Sequence, residues 1–101
     1  MKLSISNIAW PEEASDEVAD LLREEQVTGI EVAPTKLLGP PADATDADIN
    51  AKRDHWQSIG LPIVAAQALL FGRNELLLFA DEQTRRQTLE HLKRVVRAVG
   101  K

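Results

Sequence analysis

At 101 residues the chain has room for a single domain, residues 1–101, around one core. Aromatic residues are few (Trp10, Trp56, Phe71 and Phe79), and a net charge of −4 with a pI near 5.1 argues against nucleic acid or an anionic membrane as partner. The absence of cysteine removes disulfides and thiolate chemistry and points to a reducing cytoplasm; no apolar run is long enough to span a bilayer, and no signal-like segment precedes Glu12 and Glu13.

Residues 2–8 alternate, with Leu3, Ile5 and Asn7 on one face and Ser4, Ser6 and Ile8 on the other, which predicts a strand closed by Trp10-Pro11. Ser15 is placed to cap a first helix, with Asp16 and Glu17 complementing its dipole. Val18, Ala19, Leu21, Leu22 and Gln26 then follow at helical spacing. Gly29 turns the chain into a short second strand, Ile30-Glu31-Val32-Ala33, with a proline-broken exit loop after it. A strand buried on both faces is nearly all apolar, so Glu31 either meets a partner or sits where water and ligand reach.

Gly39-Pro40-Pro41 continues neither helix nor strand. Thr45 caps a second helix, with Asp48 completing a capping box; Ile49, Trp56 and Ile59 form its buried stripe and Gly60 stops it. Leu61-Pro62 opens a third strand, residues 63–67. A loop bearing Gly72-Arg73-Asn74 and an apolar return, residues 76–79, lead to Asp81, which caps a third helix. Leu89, Leu92, Val95, Val96 and Val99 are expected to be its core face, with Gly100 after its end.

The order β-α-β-α-β-α predicts an α/β domain with a parallel sheet and right-handed crossovers. Consecutive strand order puts all three helices on one face. The other face (Leu3, Ile5, Ile63 and Ala65 by one parity) is then uncovered, with both edges open. Such a chain is expected either to associate or to be the first part of a longer barrel. The ending at Gly100-Lys101, where a fourth strand would start, favours the second.

Three blocks, SNIAWPEE (6–13), GIEVAPTKLLGPP (29–41) and GLPIVAAQALLFGRNELLLF (60–79), are similar to the N-terminal part of the sugar phosphate isomerase/epimerase family, the xylose isomerase-like TIM barrels. The likeness covers essentially the whole chain. It implies the first three-eighths of a (β/α)8 barrel, with a sugar or sugar phosphate bound at the C-terminal ends of the strands. It also implies proton transfer beside a carbonyl, by a carboxylate base and a cation that stabilises the enediolate. In such barrels the divalent metal and the acid/base glutamates sit on later strands. The resemblance therefore assigns this chain no catalytic residue, metal ligand or cofactor of its own, and no activity in isolation. The alternative is a non-catalytic barrel fragment or association module that oligomerises through its uncovered sheet. A DNA-repair nuclease of the same barrel type fits the acidic balance poorly.

Asn7, Glu31 and Gln67 fall at or near strand ends, where they would form a polar wall for sugar hydroxyls and metal-bound water. The competing reading has Asn7 and Gln67 satisfying loop backbone and Glu31 paired with Lys36 or Arg73. Trp10 follows the first strand and either stacks on a sugar ring or seals the rim. Lys36 and Arg73 stand in the loops after the second and third strands, either meeting a phosphate or simply solvated. Trp56 reads as core. His55 and His91 show no metal-ligand spacing, and the basic run Arg85, Arg86, Lys93, Arg94 and Arg97 reads as a solvated face. GxGxxG, Walker A, GxSxG and CxxC are absent from the sequence.

Overall fold

The alternating segments pair as three short strands in a computed structural model that describes residues 1–40 and 43–100. β1 (Ser4–Ser6), β2 (Gly29–Val32) and β3 (Ile63–Ala66) make one parallel sheet in the order β1-β2-β3. Ile5 stands opposite Ile30, and Ile30 opposite Ile63. Beyond Ile63 the register shifts, so that Glu31 faces Ala65 and Val64 is the extra residue of a bulge. Flanking residues extend the ladder, with Thr28 N–H donating to Leu3 O at 2.9 Å and Gln67 N–H to Val32 O at 2.9 Å.

Four α-helices follow in chain order: α1 (Ser15–Glu24), α2 (Pro34–Leu38), α3 (Asp46–Ser58) and α4 (Glu82–Val99). Among the described residues no helix is long and apolar enough to cross a membrane. α1 and α3 cover one face of the sheet. Ala19 and Leu22 of α1 and Trp56 of α3 join Ile30 and Val32 in the core, with Ile5, Ile63 and Ala66 packed against them. Because successive side chains alternate across a strand, the other face is left with Ser4, Ser6, Glu31, Val64 and Ala65. This reverses the expected parity: Ile5 and Ile63 lie on the covered face. Ala65 is exposed as anticipated, because the bulge at Val64 shifts the alternation after Ile63.

Several local expectations change for identifiable reasons. Ser15 does not cap α1. A 3-10 turn, Glu12–Ala14, precedes the helix, and the Ser15 hydroxyl accepts from Trp10 Nε1 at 3.1 Å instead. Gln26 ends the helical path at φ 61° rather than extending the stripe, while Val27 N–H returns to Leu22 O at 2.9 Å. The exit after β2 is helical: Pro34 occupies the first turn of α2, where its missing N–H costs nothing. Strand β1 gives way at Asn7 to a 3-10 turn, Asn7–Ala9. The capping box of Thr45 and Asp48 forms, as does the Asp81 cap on Thr84 N–H at 2.9 Å. Gly60 follows α3 at φ 83°, a conformation that spares only glycine a steric penalty. The break at Gly39-Pro40-Pro41 is described as far as Pro40. Residues 76–79 form no strand; Leu76 is buried, whereas Leu77, Leu78 and Phe79 are exposed.

Helix α4 differs most. It buries Thr88, His91, Val95 and Ala98, so of the expected core face only Val95 is fully covered. The polar pair is affordable because both are satisfied: Thr88 Oγ1 donates to Thr84 O at 2.8 Å, and His91 Nε2 lies 3.1 Å from Leu69 O. None of these residues joins the cluster beneath the sheet. The radius of gyration is accordingly 14.7 Å, against about 13 Å for a compact chain of this length, and the longest axis reaches 48 Å.

Candidate functional site

Uncovered parallel strands present a polar strip at the end of β1. Ser6 and Glu31 are register partners on the open face. Gln67, just past β3, donates its amide N–H to the Ser6 hydroxyl, so one hydrogen bond spans the open ends of all three strands. Glu31 is half-buried and has no hydrogen-bond or ion-pair partner among the described residues. Neither cation once available to it is engaged there. Lys36 Nζ donates to Asn7 O at 2.5 Å and also to Trp10 O, while Arg73 pairs with Glu75 at 2.5 Å.

Asn7 is buried behind this strip. Its Oδ1 accepts from Ala33 N–H at 2.8 Å and so locks the turn after β1 to the end of β2, while its Nδ2 is buried without a partner. Nearly every buried donor in a folded protein is paired; among the described residues this amide nitrogen is the buried side-chain polar atom left without a partner. Its backbone role was one of the two readings open for Asn7, and the same bond leaves the other half of the amide unused.

Trp10 lies 6% exposed, its ring 6.5 Å from that of Trp56 and tilted by 52°. The indole belongs to the core and packs against Trp56. Lys36, half-buried, binds two carbonyls of the same turn and holds α2 against β1. Arg73 sits apart from the strip. Its Nη1 is 3.4 Å from His91 Nδ1. Because Leu69 O can only accept, His91 carries its proton on Nε2 and Nδ1 accepts from Arg73. The Arg73 hydrogen bond also holds the Glu75 carboxyl below the usual range.

Of the six candidates, the fold therefore joins Asn7, Trp10 and Lys36 in one buttressing turn, sets Glu31 and Gln67 on the open face, and sends Arg73 to α4. Ser6 was not singled out from the sequence. Serine is common in strands and turns, and only the register opposite Glu31 distinguishes it. An apolar cleft of about 220 Å³ lies along β3, between α2, α3 and the end of α4, with Leu37, Ile49, Ile63, Val64 and Val99 in its walls. It contains none of the polar strip. Among the described residues no three His, Asp or Glu side chains gather as metal ligands.

No protein-family model, curated protein or solved structure matches this chain.

Proposed function

We propose that this chain is the N-terminal part of a sugar phosphate isomerase/epimerase-like barrel, with the open face of its sheet as the ligand side. The observation that carries the reading is Glu31: an unpaired, half-buried carboxylate on the uncovered face, beside a serine hydroxyl positioned by Gln67. Carboxylate, hydroxyl and amide are the groups that discriminate sugar hydroxyls, and the strand order with α1 and α3 on one side is that of successive barrel units. In this reading Glu31 and Gln67 hold and orient substrate, while Asn7 and Lys36 keep the turn after β1 in place. The base and the metal ligands would come from further strands. A second reading, a non-catalytic module that associates through its uncovered sheet, is favoured by the exposed Val64 and Ala65 beside the polar strip.

Amide NMR during titration with sugars and sugar phosphates tests the proposal. Saturable shifts at Ser6, Asn7, Glu31 and Gln67, lost in Glu31→Gln with the fold intact, are expected. The chain should give no turnover with added Mg²⁺, Mn²⁺, Zn²⁺ or Co²⁺. Shifts confined to hydrophobic open-face residues and dependent on protein concentration would favour the second reading. Stoichiometric metal binding abolished by Glu31→Gln would overturn the supporting role given to Glu31.

A further inference from the structure

Four residues of α4, Leu89, Leu92, Val96 and Val99, recur at alternating intervals of three and four, the spacing of an a/d seam. Leu89 is 45% exposed, Val96 62% and Val99 49%. The stripe runs beside the buried face made by Thr88, His91, Val95 and Ala98: Leu92 is half-buried and Val99 borders the cleft against β3, while Leu89 and Val96 stand clear of the folded body. Lys93 borders the seam on its solvent side, and Arg97 lies one step further round the helix. α4 as a whole carries five basic residues and two acidic ones. Glu82 pairs with Arg86 and Glu90 with Lys93, which leaves Arg85, Arg94 and Arg97 without ion-pair partners among the described residues.

α1 has the opposite character. It holds four acidic residues and one basic residue, and Arg23 is paired only with Asp20. On its outer surface Leu21, 53% exposed, lies one turn from Glu17 and from Glu24. Two helices of one chain thus present apolar residues framed by unpaired charge of opposite sign. The surface supports this. The chain exposes 6664 Å², whereas a compact monomer of 11.2 kDa exposes about 5,700 Å². That excess, about 1,000 Å², is comparable to the roughly 800 Å² that one partner buries in a standard interface.

We propose that a second copy of this chain docks the acidic outer face of its α1 on the basic-rimmed apolar seam of α4. Because different patches meet, the contact is heterologous and leaves one free α1 and one free α4 at the ends, so assembly grows with concentration or closes as a ring. Opposite charge supplies the register and the steering, and the apolar residues supply the burial. The surface is separate from the open sheet face and does not depend on ligand binding there.

Sedimentation velocity over a concentration series tests this. At low salt the mass should rise with concentration, and at high salt it should fall back as the charges are screened. Lys93→Glu with Arg97→Glu on α4, and Glu17→Lys with Glu24→Lys on α1, should each weaken self-association by more than about tenfold. All four positions are exposed, and circular dichroism should show the fold unchanged. Mixing the two charge-reversed proteins should restore association, since each then offers the other's complement. Val96→Glu should be monomeric and folded. A monomer at every concentration and salt, association indifferent to both reversals, or failure of the mixture to recover would overturn the proposal. So would binding of an acidic amphipathic peptide by a chain that never self-associates.

Discussion

Glu31 keeps an unpaired carboxylate because Lys36 is spent on the carbonyls of Asn7 and Trp10, and Arg73 on Glu75. The spacing of charges along the chain permitted either cation to reach it; only the fold shows where each goes. The same limit applies to Asn7, whose half-used amide depends on a contact 26 residues away with Ala33 N–H. Gly29 offers a sharper residue-scale test. A Cβ built there would lie 2.8 Å from Val64 Cγ1 and 3.0 Å from Pro62 O. Gly29→Ala should therefore destabilise by about 1–3 kcal/mol, the usual cost of overpacking. Adding Val64→Ala should recover part of the loss, since the two positions are in contact. Denaturant titration of the single and double variants measures both; a neutral Gly29→Ala would show that the bulge yields freely.

At the scale of elements, α3 is held to the sheet chiefly by Trp56, 5% exposed and in contact with Trp10. Trp56→Ala should cost about 3–5 kcal/mol, as truncation of a large buried aromatic does, and a loss near zero by denaturant titration would mean that α3 is held elsewhere. The starts of α3 and α4 are pH-sensitive in a direction that can be worked out. The Thr45 hydroxyl, aided by its backbone N–H, holds the Asp48 carboxyl below the usual range; Thr84 N–H, then its hydroxyl, does the same for Asp81. Each group binds a proton less readily folded than unfolded. The stabilisation is present above the ordinary aspartate value of about 3.9 and is lost as pH falls through the lowered folded values. Far-UV circular dichroism should show helix loss beginning below about pH 4. Asp81→Asn, which can still cap without titrating, should reduce that loss, and an unchanged acid limb would count against the caps. These boundaries were legible because caps and breakers act within a few residues. The rotation of α4 was not: Leu89 and Val96 outrank Thr88 and His91 in hydrophobicity, but Leu77, Leu69 and Arg73 give those two polar residues partners from another segment.

For the whole molecule, the decisive contrast is between adjacent residues of β3. Ile63→Glu places a charge against Ile30 and the core and should unfold the chain. Val64→Glu, on a side chain 58% exposed on the open face, should leave it folded. Thermal melts of the native chain should also show a midpoint that rises with protein concentration, because association and folding are linked when a small domain leaves this much apolar surface uncovered. A concentration-independent midpoint would show that the described contacts suffice. The sequence by itself determined the order of the three strands and the three longer helices, the α/β class, the parallel arrangement, the caps of α3 and α4 and the core position of Trp56, since periodicity and turn chemistry are local. Tertiary structure decided which face of the sheet is covered, where the cations go and which stripe of α4 is left outside. The reason is that strand parity turns on one bulge at Val64, and the destination of a long side chain depends on partners far along the chain that no local pattern encodes.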